Sequence, residues 1–252
     1  MRKVHGILVA MLALAAMLLA CALWPQIDLG LAHRIHEAQG GGFGARREGS
    51  LIFLRDIGIR LPIGVFAMAC LIWLIGLLRR EERQTLSNRH MLFLAASFAL
   101  GPGLLVNGVL KDLSHRPRPA QLVEFGGQDA FRPWYAFDGA CKSNCSFASG
   151  EVAGAAWLLA PASLAPPPWR GIAIAAAGAV TIAVAGLRMA FGGHFLSDVI
   201  AAILVTLASI FVVHFLVRRI WADSSLSDGE GSSRSPCHVS SATAPPADRA
   251  RE

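Results

Sequence analysis

The chain has 252 residues, of which 54% are apolar and 16% charged, with a net charge of +6 and a mean hydropathy of +0.50. An average soluble domain is about one quarter charged. This composition therefore excludes a surface wetted on all sides, and equally a disordered, collagen-like or secreted disulfide-rich chain. An all-α polytopic membrane protein is what remains. The basic balance suits anionic headgroups, phosphate groups or nucleic acid. Lys and Arg sit between apolar runs and no nucleic-acid motif occurs, so nucleic acid is not expected as a partner.

Six apolar stretches follow one another, at 7–24, 61–78, 91–110, 152–165, 171–190 and 199–217. A bilayer core takes about 20 helical residues, with a usual range of about 17–25. The fourth stretch is short, contains Pro161 and runs into Pro166, Pro167 and Pro168. A six-helix bundle over residues 1–221 is the expectation. The first stretch follows Arg2 and Lys3 and reads as an uncleaved helix in preference to a signal peptide. Residues 25–60 form an outer segment with a hinge at Gly40-Gly41-Gly42, and Leu51, Ile52, Phe53 and Leu54 are expected along the membrane surface. Residues 222–252, rich in Ser, Ala and Pro, have little to bury and read as a disordered cytoplasmic tail.

With the N-terminus inside, the inner segments carry Arg2, Lys3, Arg79, Arg80, Arg83, Arg89, Arg170, Arg218 and Arg219. The outer ones are no less basic: Arg34, Arg46, Arg47, Arg55, Arg60, Lys111, Arg116, Arg118, Arg132, Lys142 and Arg188. The positive-inside rule supports this orientation only weakly, and the outer excess calls for a reason.

Three polar clusters supply one. Lys111-Asp112-Leu113-Ser114-His115-Arg116-Pro117-Arg118-Pro119 ends the third stretch, Cys145-Ser146-Phe147-Ala148-Ser149-Gly150-Glu151 opens the fourth, and Arg188 to Asp198 spans the turn between the fifth and sixth. Counting spans puts all three on one side. Lys111, Arg118 and Arg188 offer cations to a phosphoryl group, the arginines as directional forks. Ser149 and Gly150 open a helix whose N–H groups and dipole attract an anion, and glycine permits close backbone approach. His194 and Asp198, four apart, are expected on one helix face. The carboxylate then holds one ring nitrogen and leaves the other to attack. Each residue alone has a plain explanation, such as a snorkelling cation, a first-turn acid or a helix start. Their joint spacing on one side does not.

These motifs resemble those of the type 2 phosphatidic acid phosphatases, which share their site with acid phosphatases and vanadium haloperoxidases. The family pattern is Lys-x6-Arg-Pro, Pro-Ser-Gly-His and Ser-Arg-x5-His-x3-Asp. Lys111 through Pro119 match the first, and Arg188, His194 and Asp198 match the third with Leu187 in place of Ser. The resemblance implies a six-helix membrane lipid phosphatase that needs no metal or other cofactor, with the bilayer and a lipid phosphate as its partners. It implies His194 as a nucleophile forming a phosphohistidine and Asp198 as its orienter. Lys111, Arg118, Ser149, Gly150 and Arg188 would then bind the phosphoryl oxygens. Arg116 has the wrong spacing from Lys111, so it takes an accessory role at most.

The second motif departs from the pattern: Ala148 stands for Pro, and Glu151 for the His that protonates the leaving oxygen. Burial would raise the Glu151 pKa and fit it as the acid, while three nearby cations would lower it. The alternative is a leaving group good enough to need little help, as in lipid A 1-phosphate or a polyprenyl diphosphate. Lipid A phosphate ranks first as substrate, ahead of undecaprenyl diphosphate, phosphatidylglycerophosphate and phosphatidic acid. A non-catalytic lipid-phosphate binder is the rival from another class. The expected location is a bacterial inner membrane, with the site facing the periplasm. Cys141 and Cys145 share one loop, where a disulfide and free thiols are both open. The loop aromatics Phe125, Phe131, Trp134, Tyr135 and Phe137 are expected as interfacial anchors.

Overall fold

The computed structural model describes residues 2–79 and 85–231, so Arg80, Arg83 and the tail beyond Gly231 lie outside the described residues. The chain divides into two compact units, residues 1–217 and residues 218–252. In the second unit the backbone is helical through Gly231, including the start of the segment read from sequence as a disordered tail. Everything below concerns the first unit.

The elements are α1 (Arg2–Leu23), α2 (Gln26–Ala38), α3 (Gly49–Leu78) and α4 (Asn88–Phe98), which continues through a π-helical stretch, Ala99–Leu110, into the short α5 (Lys111–Ser114). Then follow α6 (Gly150–Trp157), α7 (Leu159–Ser163), α8 (Pro167–Ala190) and α9 (Leu196–Gly231). The only strand-like pairing among the described residues is the isolated bridge between Leu122 and Asp129. Five spans are long and apolar enough to cross a bilayer: His5–Leu23, Gly49–Leu78, Asn88–Gln121, Pro167–Ala190 and Leu196–Trp221. The expected all-α polytopic architecture is present, while the sixth crossing expected at 152–165 is instead the broken pair α6–α7. Both are too short to span alone, and Pro161 denies the chain the N–H that a continuous helix would use.

What α6 lacks in length it makes up in burial. Val152, Ala153, Ala155, Ala156 and Trp157 are all inaccessible. Val152, Ala153 and Ala155 pack with Val106, Val184, Ala185, Val199, Ala201 and Ala202 from the surrounding helices. Alanines let the neighbouring backbones come close, which is how helices associate where lipid provides no hydrophobic drive. At its C-terminal end the Trp157 indole N–H donates to Ser97 Oγ at 3.0 Å, and its ring meets those of Phe66 and Phe98 edge-on. Outward-facing side chains on α3, α8 and α9, among them Ile63, Ile72, Ile182 and Leu216, stay exposed as lipid contact requires.

Two segments differ from the sequence reading. Leu51, Ile52, Phe53 and Leu54 belong to the first turns of α3 rather than to a surface strip. At 1.5 Å per residue α3 is about 45 Å long against a hydrocarbon core of about 30 Å, and Arg55 lies in its second turn. The loop aromatics Phe125 and Phe131 are not free membrane anchors either. With Ala32, Leu122 and Phe195 they form a small core that fastens α2 to the loop between α5 and α6, while Tyr135 and Phe137 remain exposed.

Candidate active site

The three polar clusters converge. Arg188 closes α8 and the chain then turns through Gly192, whose φ of +59° suits glycine. A side chain there would also strike the Phe43 ring at 2.5 Å. The turn delays the next helix until Leu196, so His194 precedes α9 and does not share a helix face with Asp198 as the four-residue spacing suggested. Asp198 instead caps that helix start, its Oδ2 accepting the Phe195 N–H at 2.8 Å.

His194 is buried, and its Nδ1 lies 2.6 Å from the Ser146 carbonyl oxygen, with Asp198 Oδ2 farther away at 3.6 Å. A carbonyl only accepts, so Nδ1 carries the proton and Nε2 keeps the lone pair. The backbone of the second cluster thus fixes the imidazole directly, and Asp198 contributes mainly charge. Burial holds the His194 pKa below its ordinary value; Asp198 opposes this, while Arg188 and Arg118 reinforce it. The neutral form of the ring is thereby favoured. Ser146 also donates from Oγ to Asp198 Oδ2 at 2.5 Å.

Around this imidazole stand the cations. The Arg188 guanidinium lies so close to Gly193 that a β-carbon there would meet Nη2 at 2.6 Å. Arg118 donates from Nη2 to the Asn144 carbonyl at 2.8 Å, within the loop closed by a Cys141–Cys145 disulfide. Lys111, half-buried at the head of α5, lines a cleft of about 250 Å³ with Asn107, Gly150 and Glu151. Ser149 is the N-cap of α6, but its N–H is spent on the Asp198 carbonyl at 3.3 Å rather than left open to an anion. Its hydroxyl, together with Arg188 Nε, is buried without a hydrogen-bond partner. Gly150 is small for a different reason from the one its motif suggests: a β-carbon would sit 2.2 Å from Asn107 Oδ1.

Glu151, left undecided by sequence, is held by arginines. Arg55 donates from Nη2 and Nε to its two oxygens at 2.6 and 3.1 Å, and Arg188 Nη1 stands 3.3 Å away. Burial pushes the Glu151 carboxyl upward, but the Arg55 hydrogen bond and the charges of Arg188 and Arg55 outweigh it and hold it below the usual carboxylate range. It is ionised in the resting site.

Sequence reasoning missed three residues. Arg116, given an accessory role at most, has no exposed surface. It donates to Asp198 Oδ1 and, at 2.8 Å, to Ser197 Oγ, both from Nη1. Its Nη2 donates to Asp28 Oδ2 at 2.9 Å and its Nε to the Arg132 carbonyl at 2.9 Å. The Phe195 ring covers its flat face, centroid 4.2 Å away. Asp28 on α2 and Arg55 on α3 have no site role in the sequence reading, which places Arg55 only among the outer cations. An acid in the first turn of α2 and a base directly after Leu51-Ile52-Phe53-Leu54 were the available signals.

The arrangement can take a tetrahedral anion against the imidazole and release it by displacement. Relatives include lipid A 4'-phosphatases of Francisella tularensis subsp. novicida, 31% identical over 78% of this chain and 89% of that protein, and of Rhizobium leguminosarum, 36% identical over 64% of this chain and 69% of that protein. A third, from Rhizobium etli, is 36% identical over 63% of this chain and 62% of that protein. No solved structure matches the chain. The PAP2 superfamily profile matches residues 90–222, which hold Lys111, Arg118, Arg188, His194 and Asp198 at the spacing that brings them together here, and the chain belongs to that family.

Proposed function

We propose that this membrane protein is a lipid A phosphatase that acts without a metal ion, through a phosphohistidine on His194, at the periplasmic face of a bacterial inner membrane. The observation that carries the reading is the pair of buried, unpartnered donors, Arg188 Nε and Ser149 Oγ, beside an imidazole whose proton is fixed on Nδ1. Leaving such groups unpaired costs about 1–3 kcal/mol each, and a bound phosphate satisfies both. The names of the relatives support lipid A, and the 4'-phosphate in particular, as the substrate.

In this reading Lys111, Arg118 and Arg188 take the non-bridging oxygens, and Gly150 presents the start of α6 to them. His194 Nε2 attacks phosphorus in line as the lipid oxygen departs. Asp198 and the Ser146 carbonyl stabilise the charge that grows on the ring, as preorganised groups do in phosphoryl transfer. Water then opens the phosphohistidine and frees inorganic phosphate. Glu151, ionised, has no proton for the leaving oxygen. We assign that proton to the substrate's own phosphate, whose second pKa is about 6. Glu151 serves the reaction by holding Arg55 and Arg188 in place.

The test is phosphate release from purified protein offered lipid A 4'- and 1-phosphates, undecaprenyl diphosphate, phosphatidylglycerophosphate and phosphatidic acid, with His194→Ala as control and a chelator arm. Release from lipid A that survives chelation and vanishes in His194→Ala is expected. Preference for another lipid revises the substrate, and strict metal dependence overturns the mechanism. Tight phosphate binding with no release from any lipid identifies a binding protein instead.

A further inference from the structure

The interior behind His194 contains a second charged cluster that faces no solvent. Asp28 and Asp198 flank the Arg116 guanidinium, and all three side chains are at most 1% exposed. Ser197 ties them together: its N–H donates to Asp28 Oδ1 at 2.9 Å, its hydroxyl donates to Asp28 Oδ2, and its oxygen accepts from Arg116. Burying three charges is costly unless each is paired and hydrogen-bonded, and here each is. A cluster placed merely to fasten α2 to α9 has no need to share its arginine with Asp198, the carboxylate that faces the imidazole.

We propose that Asp28 is a positioning residue for the reaction, acting through Arg116 to set how much of the Asp198 charge His194 feels. The inference rests on His194 being the nucleophile and extends the site to α2, outside residues 90–222 that match the family. Arg116 draws on Asp198 with one nitrogen and on Asp28 with the other. With Asp28 charged, its pull is divided and Asp198 keeps charge for the imidazole. With Asp28 neutral, Arg116 engages Asp198 alone, and the imidazolium that forms during attack loses support.

The charged groups facing His194 are Asp198 from α9, Arg188 from α8, Arg118 from the outer loop and Glu151 from α6. Those facing the Asp28–Arg116 pair are Asp198 and the Cys21 thiol of α1. None of these changes in Asp28→Asn, which is isosteric and keeps an oxygen for the Ser197 N–H. A neutral imidazole attacks, so the rate rises as pH passes its pKa, and a weakened Asp198 lowers that pKa. Asp28→Asn should therefore lower kcat about 10- to 100-fold, the usual scale for groups that orient a reactive residue from behind. KM should hold within about threefold, and the acidic limb of the kcat profile should move to lower pH by about one unit.

The experiment measures kcat and KM against pH for wild type and Asp28→Asn, together with NMR titration of labelled histidines in detergent, the His194 signal being identified by its loss in His194→Gln. An unshifted His194 titration in folded Asp28→Asn overturns the proposal, whatever happens to the rate. If that variant does not fold, Ser197→Ala decides: it removes the bridging hydroxyl without changing charge, and its His194 titration should move the same way by a smaller amount. No movement there also overturns it. Failure of wild type to hydrolyse any lipid phosphate defeats the proposed function yet leaves the titration readable, so the two claims fail separately.

Discussion

The protein solves one electrostatic problem twice, with opposite polarity. At the mouth of the site a carboxylate, Glu151, lies between two arginines, Arg55 and Arg188. Behind it an arginine, Arg116, lies between two carboxylates, Asp28 and Asp198. The first is half wet, with the Arg55 and Glu151 side chains 33% and 19% exposed, and has cationic donors to spare. The second is dry and has all its partners within the protein. In the proposed function, the difference separates a cluster that exchanges partners with an incoming anion from one whose partners stay fixed.

The most severe way to break the comparison is in the dry cluster. Arg116→Met leaves two buried carboxylates facing each other and should cost about 3–5 kcal/mol of stability, read from unfolding in detergent. A loss of less than about 1 kcal/mol, the scale of an exposed pair, would mean that water reaches this cluster and that the contrast is false.

In the wet cluster the effect should fall on rate instead. Arg188→Gln removes the fork proposed to meet the phosphoryl oxygens while Glu151 keeps Arg55. Turnover should drop by about 10²–10³, as on losing one preorganised donor, with the unfolding midpoint near that of wild type. A variant that unfolds as readily as Arg116→Met would make Arg188 a structural residue and erase the distinction.

How much of this was legible in the chain depends on where each partner lies. Lys111 and Arg118 in one short segment, and Arg188, His194 and Asp198 in another, could be picked out as candidates because motif spacing within a segment is visible in the chain. The bonds that hold them could not. Arg116 reaches Asp28 across 88 residues and Asp198 across 82, and Arg55 reaches Glu151 across 96. No local period encodes such a meeting. The helices were legible from their apolar length, but the break between α6 and α7 and the extra turns of α3 depend on packing, which overrode simple counting. The His194–Asp198 spacing misled because it assumed one helix, where the turn at Gly192 and Gly193 delays the helix start.

A sharper probe of the wet cluster replaces Glu151. If the ionised carboxylate works by holding Arg55 and Arg188, Glu151→Gln should slow an aryl phosphate and an alkyl phosphate alike, by about tenfold, or about 1.4 kcal/mol. A proton donor would be missed far more by the alkyl substrate, whose alkoxide leaves poorly. A loss confined to the alkyl phosphate would restore Glu151 as the acid and remove the substrate's phosphate from that role.

The smallest effect expected is in stability, and its pH dependence has a definite sign. The Glu151 carboxyl is lowered in the folded protein from its ordinary 4.5, so the unfolded chain binds the proton more readily than the folded one. The stabilisation is therefore complete above about pH 5 and is lost as pH falls through the lower folded-state value. Arg55 and Arg188 stay charged throughout, so of these three groups only the carboxylate titrates. The difference in unfolding free energy between wild type and Glu151→Gln should be flat from pH 7 to 5, no larger than about 1 kcal/mol for so exposed a pair, and should shrink toward pH 3. A difference that grows on acidification would mean a raised carboxyl, protonated in the resting site, and the mouth of the site would then hold an acid rather than a counter-ion.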